Sequence, residues 1–138
     1  MRAHGLGAVA HLRRFAEHEA RIALGSAVRA EAALRAAVPP SVPALGTGLL
    51  SGAQLSHDLL VIGLGEQHRE RSVKLVDEAS VATGAAREQW SDAARSARAV
   101  ERLIERRQRE RRVARAKKAQ ADLDEAALAG WRRNHVHD

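Results

Sequence analysis

Apolar residues recur at intervals of three and four from His4 to Val38: Val9, Leu12, Phe15 and Ile22, then Leu24, Ala27, Leu34 and Val38 after a small phase shift. No proline interrupts this stretch, so the pattern predicts one amphipathic helix over residues 4–38, about 50 Å long at 1.5 Å per residue. Gly25 weakens that helix by roughly 1 kcal/mol relative to alanine without breaking it. Pro39, Pro40 and Pro43 end it, because proline lacks the amide hydrogen and clashes with the preceding turn. Residues 39–52 then form a Pro/Gly-rich connector. A second helix is predicted over 53–131, opened by Leu55, Leu59 and Ile62 and continued by Val73, Val76, Ala79, Thr83, Ala86, Trp90, Ala93, Ala97, Val100 and Ile104. More than four heptads of this spacing argue for a coiled coil. Gly63, Gly65 and Gly84 are candidate bends, and residues 132–138 read as a disordered tail. The expected fold class is all-α, a single domain over 1–138. It is an antiparallel two-helix coiled-coil hairpin with a long, overhanging C-terminal helix.

If the connector makes a hairpin, Val38 lies opposite about Leu55, and His4 opposite about Arg87 or Glu88. The first helix then runs out near Trp90, and about 40 residues of the second have no partner within the chain. Beyond Ile104 the apolar stripe thins to Val113, Ala116 and Leu123. An unpaired helix is only marginally stable in water, so this arm is expected to fray alone and to be ordered by an external surface. Trp131 is either an anchor for that surface or a cap on the terminal turn.

Charge sharpens the picture. Residues 95–118 carry eleven Lys or Arg against Glu101, Glu105 and Glu110, a balance of +8 in a chain of +6, so the remainder sums to −2. Arg98, Arg102 and Arg106 stand four apart, and Arg107, Arg111 and Arg115 form a second ladder. Like charges at that spacing cost a few tenths of a kcal/mol per pair, with Glu105 and Arg109 one of the few compensating pairs. Such a helix gains from lying against something anionic. The residues expected to meet that partner are Arg98, Arg102, Arg106, Arg107, Arg109, Arg111, Arg112 and Arg115.

The same region carries a motif. Leu103, Glu105, Arg106 and Arg107 are followed, after about a dozen strongly charged positions, by Gln120, Leu123, Asp124 and Glu125. This resembles the C-terminal signature of the FliJ family of flagellar type III export proteins. There a Leu-x-Glu-Arg-Arg element leads through a charged helix to a Gln-x-x-Leu-Asp-Glu element. The stretch 12–38, with its early Arg-Arg, fits the family's first helix more loosely. The resemblance implies an antiparallel coiled coil like the rotor stalk of rotary ATPases. It would sit in the central pore of the hexameric export ATPase, contact the cytoplasmic domain of the export gate and handle export chaperones. By that analogy the basic arm faces the ATPase ring, and the hairpin tip, residues 42–62, faces the gate. The short first helix, the Pro/Gly-rich loop and the scarcity of acidic residues in the basic stretch depart from the family pattern. The implied location is cytoplasmic, peripheral to the inner membrane at the export apparatus, with only indirect membrane association.

Composition bounds the alternatives. The apolar content is largely alanine, and Phe15, Trp90 and Trp131 are the three aromatic residues, too few for a compact globular core of this length. The absence of cysteine excludes disulfides and thiolate chemistry. His4, His11 and His18 recur every seven residues, but two helical turns separate them by ~10 Å, too far for one ion to bridge. Gly46 with Gly48, and Gly63 with Gly65, lack the preceding strand and the Gly-Lys-Ser/Thr of phosphate-binding loops. No catalytic constellation is visible, so the chain is read as a non-enzyme with no cofactor and no small-molecule substrate. The longest apolar run is far short of the ~20 residues that cross a bilayer, and the N-terminus does not fit a signal peptide. Two alternatives stand beside the export-stalk reading: a basic-helix nucleic-acid-binding protein, and an unrelated coiled-coil adaptor. Against nucleic acid, zipper-type basic regions precede their zipper and present an Asn to the bases, whereas the one Asn here is Asn134.

Overall fold

The computed structural model describes residues 3–41 and 51–135. Two helices account for nearly all of them: α1, Ala3–Ala36, and α2, Gly52–His135. They form an all-α hairpin, with no strand among the described residues. The connector expected at 39–52 lies mostly in residues 42–50, outside the described residues, together with its Gly46 and Gly48 and the first part of the expected tip at 42–62.

Local chemistry sets the helix ends. At the end of α1 the bonding tightens: the Ala37 amide reaches both Ala33 and Leu34 carbonyls at 3.1 Å, and the Val38 amide reaches Arg35 at 3.4 Å. Pro39 and Pro40 have no amide to continue the ladder. Arg35, in the last turn, donates to the Glu31 carboxylate at 2.6 Å. Helix α2 opens on a capping box. The Gln54 amide donates to Ser51 Oγ at 3.3 Å, and the Ser51 amide donates to Gln54 Oε1 at 3.1 Å, so each residue satisfies an orphan donor of the other. From there α2 runs as one helix through the candidate bends Gly63, Gly65 and Gly84, and none of the described glycines has positive φ. Residues 132–135 continue the helix instead of beginning a disordered tail; 136–138 lie outside the described residues.

The chain divides into two units, residues 14–94 and residues 1–13 with 95–138. Within the first, α2 presents Asp58, Ile62, Gly65, Arg69, Ser72, Val76, Ala79, Thr83, Ala86, Trp90 and Ala93 as half-buried or buried positions, alternating four and three throughout. Every seventh residue from Gly65 is small (Gly65, Ser72, Ala79, Ala86, Ala93), which lets a neighbouring helix approach closely. On α1 the matching line is Glu17, Ala20, Leu24, Ala27, Glu31 and Leu34. In the second unit Leu6 and Ala10 of α1 and Ala97, Val100 and Ile104 of α2 are the corresponding positions. The core is thin: Ala10, Ala94, Ala97 and Thr83 are the buried residues among those described, and no large side chain is fully buried. Thr83 is satisfied by donating its hydroxyl to the Ala79 carbonyl at 3.0 Å.

Two expectations about packing change. Val9, Leu12, Phe15 and Ile22, expected on the inner face of α1, are exposed, as are Leu55, Leu59 and Val73 on α2. Their stripe needs a phase shift near Ile22, whereas the frame through Leu6, Ala10, Glu17, Ala20 and Leu24 stays in phase along the whole helix. A coiled-coil interface rewards the longer coherent frame, even though its leucines are interspersed with alanines and two glutamates. The pairing register also shifts. Leu6 and Gly7 sit with Ile104, Arg107, Gln108 and Arg111, far beyond the Arg87 and Glu88 expected opposite the start of α1. The stretch of α2 that is exposed without interruption is correspondingly shorter, covering residues 105–129.

Candidate partner-binding helix

The cationic stretch lies where α2 leaves its seam. In the heptad frame the positions after Ile104 are Arg107, Arg111, Ala114 and Lys118, and every residue from 105 to 129 is exposed. Cations replace apolar side chains at the positions that would face a mate, so the seam ends for a reason written in the residues.

Of the eight arginines expected to meet a partner, all are exposed. Arg106 Nε holds Glu110 Oε1 at 2.9 Å, and Arg109 approaches Glu105 Oε2 at 3.9 Å. Both pairs lie on the surface one turn apart, where such contacts contribute about 0.3–0.5 kcal/mol. Among the described residues no ion pair engages Arg98, Arg102, Arg107, Arg111, Arg112 or Arg115. Successive residues on an α-helix are ~100° apart. Arg106, Arg107, Arg109, Arg111, Arg112, Arg115 and Lys117 therefore point to every side of the helix rather than to one face.

The motif residues occupy the same arm. Leu103 is at the edge of exposure, Glu105 and Arg106 make the pairs just described, and Gln120 Nε2 donates to Asp124 Oδ1 at 2.9 Å. Leu123 and Glu125 are exposed. Near the end, Asp124, Ala127, Leu128 and Trp131 line one shallow apolar strip. The Trp131 ring stacks on His135 at 4.6 Å between centroids and 22° between planes, and remains 59% exposed. Periodicity alone did not point to a cleft of about 130 Å³ lined by Leu6, Gly7, Ile104, Arg107, Gln108 and Arg111. The signal for it was present: Arg107 and Arg111 continue the spacing of the apolar seam.

No group of three or more His, Cys, Asp or Glu is arranged to hold a metal ion among the described residues, and no described helix is long and apolar enough to cross a membrane. Fold and exposed surface together define a helical-hairpin protein that presents a bare, cationic helix. The family model described as "Flagellar FliJ protein" matches residues 51–135, which is α2 from its capping serine to its last residue. The match covers more than half of the chain, and the chain belongs to that family of flagellar export components. Comparison with curated proteins and with solved structures finds no significant match.

Proposed function

We propose that the chain is a coiled-coil stalk of the flagellar type III export apparatus. It docks its basic arm in the ring of the hexameric export ATPase and stimulates ATP turnover there. It couples the ring to the cytoplasmic domain of the export gate and assists the handling of export chaperones. It does no chemistry itself, and it works on the cytoplasmic side of the inner membrane.

The observation that supports this reading is the distribution of charge around the arm. A duplex groove or a lipid surface engages one face of a helix, and cations on the far side then add little. A partner that encloses the helix engages all of them. Exclusion of water inside a ring also strengthens each guanidinium–carboxylate contact relative to one on an open surface. Arginine forks suit bidentate contact with carboxylates, and the arm is far richer in arginine than in lysine.

The test is co-purification with the hexameric export ATPase, with measurement of its ATP turnover. Retention together with a several-fold rise in turnover is the expected result. If neither occurs, and duplex DNA is instead retained with a steep dependence on salt, the chain is a nucleic-acid-binding protein.

A further inference from the structure

We infer that the cleft between the first turns of α1 and residues 104–111 of α2 is a docking notch for an acidic protein segment, one that carries an apolar side chain between carboxylates. This inference rests on the docking reading above and adds the contact chemistry at one point of the arm.

The floor of the notch is apolar. Leu6 and Ile104 are half-buried seam residues, and Gly7 contributes no side chain. A Cβ placed on Gly7 would meet nothing within 4 Å, so the space is open. The rim is cationic. Arg107 and Arg111 are one turn apart, with Gln108 between them, and neither guanidinium has an ion-pair partner among the described residues.

The heptad frame explains why these groups converge. Arg107 and Arg111 stand at seam positions, where a mating helix would bring side chains against them. Among the described residues α1 brings Leu6 and Gly7 of its first turns beside these cationic seam positions. A partner segment seated in this cleft sets an apolar side chain on Leu6 and Ile104 and carboxylates on the two guanidiniums. The first turn of α1 holds no acidic residue, so the positive end of its dipole adds to the same field.

Both features are needed to define the occupant. Two arginines alone accept any anion, including phosphate. The apolar floor favours an anion with a hydrocarbon group beside it, and a volume of about 130 Å³ leaves room for one branched aliphatic side chain.

The experiment uses the full chain and a fluorescent pentapeptide with a central leucine between two glutamates on each side, read by anisotropy. Arg107→Glu with Arg111→Glu is expected to weaken binding at least 20-fold. Arg132→Glu with Arg133→Glu, the same change of charge elsewhere, should stay within 3-fold. Gly7→Leu fills the notch without altering charge and is expected to weaken binding at least 5-fold, with an unchanged circular-dichroism spectrum. A peptide with central glycine should lose a similar factor against the unaltered chain. Equal weakening by the two charge-reversal pairs, or no effect of Gly7→Leu, overturns the inference, because binding would then report charge alone. ATPase retention is measured separately. A chain that binds the peptide in this pattern yet leaves the ATPase unaffected defeats the ring reading and leaves the notch standing.

Discussion

One helix, α2, contains two regions that differ in almost everything except their hydrogen bonding. Between residues 58 and 104 its inward positions repeat at four and three and are mostly small; between 105 and 135 the same frame meets Arg107, Arg111, Lys118 and Glu125. The first region is stabilised by close helix packing. The second has backbone hydrogen bonds and exposed charge pairs worth a few tenths of a kcal/mol. Helical geometry alone therefore does not make a segment structurally self-sufficient. Which residues stand at every third and fourth position decides whether the helix is held by its own chain or left for a partner.

The sharpest way to break this comparison is to put the same charge on each side of it. Ala97 is 3% exposed in the seam, and Ala97→Glu places a carboxylate at a buried position that holds only a methyl group. The expected loss is about 3 kcal/mol or more in urea unfolding. Ala114→Glu, on the arm, is expected to change stability by less than about 0.5 kcal/mol. Equal effects would mean that the arm is packed as tightly as the seam.

Changing Arg102, Arg106 and Arg109 together to Glu tests the arm from the other direction. Binding to the export ATPase should fall at least 100-fold, equivalent to about 2.7 kcal/mol, while helix content by circular dichroism stays nearly constant. A large loss of ellipticity would assign those arginines a structural role instead.

Hydrogen exchange separates the regions without mutation. Amides of residues 112–135 should exchange about 10- to 100-fold faster than those of 76–104 in the free chain, and a bound partner should close that gap. Uniform protection along α2 would contradict the division. A small gain is expected inside the seam region. Gly84 is helical, and a Cβ there meets nothing within 4 Å, so Gly84→Ala should stabilise the chain by about 0.5–1 kcal/mol in the same urea assay.

Much of this protein is determined by its sequence. Proline placement stops α1, Ser51 and Gln54 start α2, and the density of helix formers carries α2 through its glycines. The cationic arm and its motif residues are equally local facts, legible because charge and spacing need no partner to be counted. The choice of inner face was not. On α1 the bulky Leu12, Phe15 and Ile22 outweigh Ala10, Glu17 and Ala20 in any tally of hydrophobicity, yet the latter line the seam. Helix pairing is decided by coherence of one frame along both helices and by how closely the backbones can approach, and neither is a property of one segment. The register depended on the same long-range match, and so did the notch where Leu6 and Gly7 meet Arg107 and Arg111. Composition made the helices; only their mutual packing decided which side chains were left facing outward.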